Sequence, residues 1–137
     1  MIPAKAPKVP SDITLRLRDA CMALPEVREE AAWIGTRWCI RKHTFAHVLM
    51  LNDGKPAAFA KAAGTPGPLC VLTFRSPLPE LDAYAYTWAP FFRPIWFKDI
   101  VGMRLDGDTD WDEVEGLLRA SWRYQAPKKL ADLLSAA

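Results

Sequence analysis

The chain offers few residues for chemistry, and the most suggestive grouping is Cys39, His43 and His47, spaced C-x3-H-x3-H. On a helix that spacing would set three metal-capable side chains on one face, the beginning of a zinc site. The surrounding residues favour strand instead. Arg37 to Ile40 and Phe45 to Leu51 are short runs rich in β-branched and aromatic side chains, broken by Arg41 and Lys42, which is a hairpin pattern. A two-residue turn at Arg41 and Lys42 pairs Ile40 with His43, Cys39 with Thr44 and Trp38 with Phe45. Both histidines then share a face with Trp38 while Cys39 points the other way. Three ligands do not converge in that geometry and no fourth is apparent, so no metal is expected.

Other reactions have less support. There is no G-x-S-x-G and no local Ser, His and Asp grouping, so no catalytic residue is assigned and the chain is read as non-enzymatic. Asp106, Asp108, Asp110, Asp112, Glu113 and Glu115 lack the EF-hand spacing and suit turns and a helix N-terminus, where acids favour the macrodipole. Neither a Walker A sequence nor a G-x-G-x-x-G is present, and no cofactor is expected. The prolines among Gly64 to Pro68 remove N–H groups that a phosphate cradle would need.

Binding is better supplied. Arg37, Arg41, Lys42 and His43 gather at the first hairpin, Lys55 and Lys61 flank a second turn at Asn52 to Gly54, and Arg93 and Lys98 interleave with aromatic rings. Basic side chains on hairpin tips can contact phosphate oxygens, and an exposed ring can stack on an unpaired base. These residues make DNA a candidate partner, although turns and strand ends are ordinarily decorated with Lys and Arg for solubility. The alternative is a small-ligand or protein-binding module built on Trp88, Phe91, Phe92, Trp96 and Phe97, which would form a recognition patch if exposed.

The elements that must position these residues follow from pattern. With 137 residues, half of them apolar and a quarter charged, the chain reads as one soluble domain with a core of its own. Residues 1–104 carry 14 bases against 9 acids and residues 105–137 carry 4 against 7, so a formal charge of +2 hides a basic front and middle. The three cysteines lie far apart with no CxxC pair, which fits a reducing, cytoplasmic setting. No segment reads as a signal peptide or a membrane span.

Residues 1–10 read as a flexible tail ahead of a single domain over 11–137. Ser11 and Asp12 cap an amphipathic helix that ends at Pro25. The Asn52 to Gly54 turn leads into an expected returning strand over Pro56 to Ala62. Leu69 to Phe74 reads as a strand, Ser76 and Pro77 open a short helix, and Ile100 to Leu105 forms a last strand. Asp110 caps the next helix, with Glu113 at capping-box spacing, and Lys128 to Leu134 is a short terminal helix. The fold class is α+β, a mainly antiparallel sheet with the N- and C-terminal helices on one face.

Several segments together resemble the MmcQ/YjbR family. They are Leu24-Pro25-Glu26-Val27, Arg41-Lys42-His43-Thr44-Phe45-Ala46, Arg104-Leu105-Asp106-Gly107, and Ser121-Trp122-Arg123-Tyr124 followed by Ala126-Pro127-Lys128-Lys129-Leu130. The resemblance spans roughly residues 13–134. It implies a domain similar to the CyaY/frataxin-like fold, whose two hairpin wings have been likened to a double-wing DNA-binding motif. It implies no defined reaction. Members often carry two glycines where this chain has Arg41 and Lys42, so a longer or differently shaped loop is expected there.

Overall fold

A computed structural model describes residues 8–94 and 98–135. The order is α1 (Ser11–Met22), β1 (Val27–Ala31), β2 (Thr36–Ile40), β3 (His43–Leu51), α2 (Ala57–Ala63), β4 (Leu69–Arg75), α3 (Leu78–Leu81), β5 (Phe91–Phe92), β6 (Ile100–Leu105), α4 (Trp111–Gln125) and α5 (Lys128–Ser135). The strands form one sheet in the order β1-β2-β3-β4-β6-β5, every neighbouring pair antiparallel. This is the expected α+β architecture. The tail expected over residues 1–10 lies outside the described residues as far as residue 7, and Val9 already packs against the core.

Alternation along the strands sorts the sheet into two unlike faces. Trp38, Ile40, Ala46, Val48, Leu72, Phe74, Val101 and Met103 share one face with Leu17 and Cys21 of α1, Val114, Leu118 and Trp122 of α4, and Leu130 of α5. On the other face Leu49, Leu51 and Val71 are covered by Phe59 of α2 and by Phe92. The centre of the sheet is buried on both sides, so β3 and β4 read as nearly unbroken apolar runs rather than as alternating ones.

The residues expected to return as a strand after the Asn52 to Gly54 turn form α2 instead. Five of its seven residues are Ala, the best helix former, and Gly64 closes it in the left-handed conformation at φ 73°. The second turn closes on a single antiparallel bridge between Asn52 and Lys55, and α2 follows it in place of a returning strand. β1 is a further difference from the sequence reading: Val27 to Ala31 holds two Glu and an Arg, weak strand formers, and is a strand because it pairs with β2 along its whole length.

At the first turn Ile40 pairs with His43 and Cys39 with Thr44, as expected, but Trp38 pairs with Ala46 and not with Phe45. Phe45 is the extra residue of a β-bulge, and the bulge shifts everything after it by one. His47 consequently lies opposite Arg37, on the face away from Trp38. The loop itself is a two-residue turn and not a longer one. Arg41 takes the left-handed backbone there, at φ 55°, a conformation that costs a side-chain-bearing residue energy.

Candidate functional site

The β2–β3 turn lies at the end of the sheet where α4 finishes and α5 begins. Arg41 lines a shallow depression together with Glu26, Pro127, Lys128, Lys129, Leu130 and Leu133. Its guanidinium stands 3.3 Å from Glu26, and its carbonyl accepts from Arg28 Nη1. Lys42 and His43 continue the basic surface around the exposed tip, and Lys128 and Lys129 are exposed in the first turn of α5. Glu26 offsets one charge of this group. Leu133 is 64% exposed beside it, an apolar ledge at the rim of a basic surface.

The remaining candidate bases are scattered. Lys55 follows the far end of β3, and eight strand steps between His43 and Leu51 amount to about 27 Å. Lys61 is on α2, on the face opposite α1, α4 and α5. Arg93 donates to the Ala83 carbonyl at 2.8 Å, and Lys98 is exposed just before β6. Arg37 lies on the α2 side of the sheet, where its Nε and Nη2 both donate to Glu30. Lys128 and Lys129 complete the group around Arg41, and their place beside the hairpin tip follows from the docking of α5, which local pattern does not reveal.

The aromatic segment does not form one surface among the described residues. Phe91 and Phe92 are buried on opposite faces of the sheet because β5 pairs with β6, Phe91 facing Met103 and Phe92 facing Gly102. Trp88 is 57% exposed and its ring stacks on Tyr86 at 6.1 Å. Trp96 and Phe97 lie outside the described residues.

A second feature sits on the α2 side of the sheet. Glu30, Arg37, His47, Thr73, Gly102 and Phe92 are neighbours in register across six strands, one residue from each. The middle of this row floors a pocket of about 410 Å3, walled by Trp33, Pro56, Ala58, Phe59 and Ile100. His47 Nε2 lies 2.6 Å from the Ile34 carbonyl, which can only accept, so Nε2 carries the proton. Burial lowers the His47 pKa and the charge of Arg37 lowers it further, against the raising effect of the Ile34 bond. The ring is neutral at pH 7 and Nδ1 is its acceptor.

The register also parts the two histidines, His43 falling on the Trp38 and Ile40 face and His47 on the other. Among the described residues no group of three His, Cys, Asp or Glu could hold a metal ion, and no helix is long and apolar enough to cross a membrane.

The family model YjbR matches residues 22–124, from the end of α1 through most of α4. The chain belongs to the YjbR family. No curated protein matches the chain at a significant level. The match takes in the whole sheet, the β2–β3 turn and the Ser121 to Tyr124 segment of this YjbR protein, and it stops before Lys128 and Lys129.

Proposed function

We propose that this protein binds DNA through its phosphate backbone at the end of the sheet where the β2–β3 turn meets α5. The observation that supports this is the meeting of Arg41 with Lys128 and Lys129 at one depression, with Lys42 and His43 beside them. Two segments of the chain, the β2–β3 turn and the start of α5, supply these bases, and among the described residues lining the depression Glu26 alone opposes them. Lysines exposed on a turn and in the first turn of a helix can each take a phosphate oxygen without reading a base, so the binding is expected to depend weakly on sequence.

The test is fluorescence anisotropy of a labelled duplex titrated with the full chain at rising salt. Three or four phosphate contacts give a log–log salt slope of roughly −3. Lys42→Glu combined with Lys128→Glu and Lys129→Glu abolishes binding while the far-ultraviolet circular dichroism is unchanged. Lys55→Glu, at the opposite end of the sheet, leaves affinity within about twofold. No binding at low salt, or affinity that survives the triple reversal, overturns the proposal.

A further inference from the structure

The pocket on the α2 side shares no residue with the basic depression. Its volume, about 410 Å3, falls within the range of small-molecule sites, and its lining divides by chemistry. Trp33, Phe59 and Ile100 give it apolar walls, while Arg37, Thr44, His47 and Thr73 bring polar groups from three adjacent strands.

The charge around it is positive. Glu30 accepts from both Arg28 and Arg37, so two guanidiniums share one carboxylate. Arg37 spends Nε and Nη2 on Glu30, and among the described residues no acceptor engages the two hydrogens on Nη1, which suits them to an incoming acceptor. His47 contributes the opposite polarity, since its Nε2 is engaged by Ile34 and Nδ1 accepts. Arg37 and His47 are directly opposite one another across β2 and β3, so a carboxylate and a neighbouring hydroxyl could be met at adjacent positions.

We propose that this pocket binds a small hydroxy acid with an apolar body, its carboxylate on Arg37, its hydroxyl donating to His47 Nδ1, and its body against Phe59, Trp33 and Ile100. An amine in place of the hydroxyl would bring a second cation toward Arg37 and is disfavoured.

Nuclear magnetic resonance on the uniformly labelled full chain tests this with 3-phenyllactate as the probe. A ligand of this size in a half-open pocket is expected to bind with a Kd of about 1 mM or below. Saturable shifts are expected at the amides of Arg37, His47 and Thr73 and at the His47 ring. 3-Phenylpropionate, which lacks the hydroxyl, binds more weakly, and 3-phenylpropane-1,2-diol, which lacks the carboxylate, more weakly still. Arg37→Gln, an exposed substitution whose unbound spectrum reports its fold, weakens 3-phenyllactate by roughly tenfold or more. The proposal fails if no saturable shift appears up to about 10 mM, if the diol binds as well as the acid, or if Arg37→Gln has no effect. It also fails if the shifts centre on Arg41 and Lys128, which would assign the acid to the basic depression.

Discussion

Ser121 Oγ donates to the Phe45 carbonyl at 2.6 Å, and this contact ties α4 to the residue that the β2–β3 ladder leaves over at its bulge. The same oxygen accepts from the Arg75 N–H at 2.8 Å, at the end of β4. Ser121 is fully buried and serves both backbone groups, of which the Phe45 carbonyl is buried and the Arg75 N–H part-buried. Ser121→Ala leaves the buried Phe45 carbonyl and the part-buried Arg75 N–H without this partner, and it should lower the unfolding free energy by about 1–3 kcal/mol. Urea denaturation measures it. A loss within about 0.5 kcal/mol would mean that the bulge is satisfied some other way.

Glu29 joins α1 to the sheet. It accepts from Arg18 Nε and Nη2 at 2.8 and 3.0 Å and from Trp38 Nε1 at 3.0 Å. The Arg18 hydrogen bond is the main cause of its lowered pKa, with the Trp38 bond adding to it against burial. A carboxylate whose folded pKa lies below its unfolded value stabilises the fold above the unfolded pKa, and that contribution is lost as pH falls through the folded one. Glu29→Gln keeps an acceptor for Trp38 but removes the charge. It should cost about 1 kcal/mol at pH 7, a modest figure because the ion pair is partly solvated. The gap between variant and wild type should be full above the unfolded value of 4.5 and close as the pH falls below it. Thermal melts of both proteins from neutral to acid pH provide the comparison, and a gap that stays constant would refute the linkage.

Gly102 is the floor on which Phe92 rests. A Cβ at that position would stand 2.3 Å from the Phe92 ring, on the α2 side of the sheet. Gly102→Ala should therefore cost about 1–3 kcal/mol through displacement of the ring. In a Phe92→Ala background the same change should cost much less, since the clash is gone. A double-mutant cycle in denaturant gives the coupling, and strict additivity would contradict the contact.

The elements with strong local signals were legible in the sequence. Asp110 accepts from the N–H groups of Asp112 and Glu113, as its spacing before Trp111 predicts, and the apolar stripe of α4 is the buried one. Failures had two causes, strand pairing that local pattern does not show and, in α2, a helix propensity given too little weight. One bulged residue at Phe45 moved His47 to the other face, and no residue type announces a bulge of that kind. The turn at Asn52 to Gly54 forms and closes on an Asn52–Lys55 bridge, but the Ala-rich residues after it fold as α2 and not as a returning strand. The segment Ser121 to Tyr124 stood out by resemblance, and its contacts supply a physical basis. Ser121 holds the bulge, Trp122 Nε1 donates to the Pro25 carbonyl at 3.1 Å, and Tyr124 donates to Asp99 at 3.4 Å. The basic turn was visible as charge, whereas its partners Lys128 and Lys129 emerged only once α5 was placed.

The three cysteines give a last, inexpensive check on the packing. All are free and buried, in α1, β2 and β4. Burial pushes the Cys21 thiol up strongly and the Cys70 thiol up to about 12, with nearby carboxylates adding to both shifts. Cys39 Sγ lies 3.6 Å from Thr44 Oγ1 inside the first hairpin. Only the thiolate reacts with a disulfide reagent, so a buried thiol is protected by access and, for Cys21 and Cys70, by protonation as well. The native protein at about pH 8 should show almost no colour with Ellman's reagent, and full denaturation should release all three thiols. Residual labelling in the native state then measures local opening, and mass mapping identifies which element opens. Labelling confined to Cys39 would report fraying of the β2–β3 hairpin, the element that carries Arg41. Rapid native labelling of Cys21 or Cys70 would contradict the packing of α1 and β4 described above.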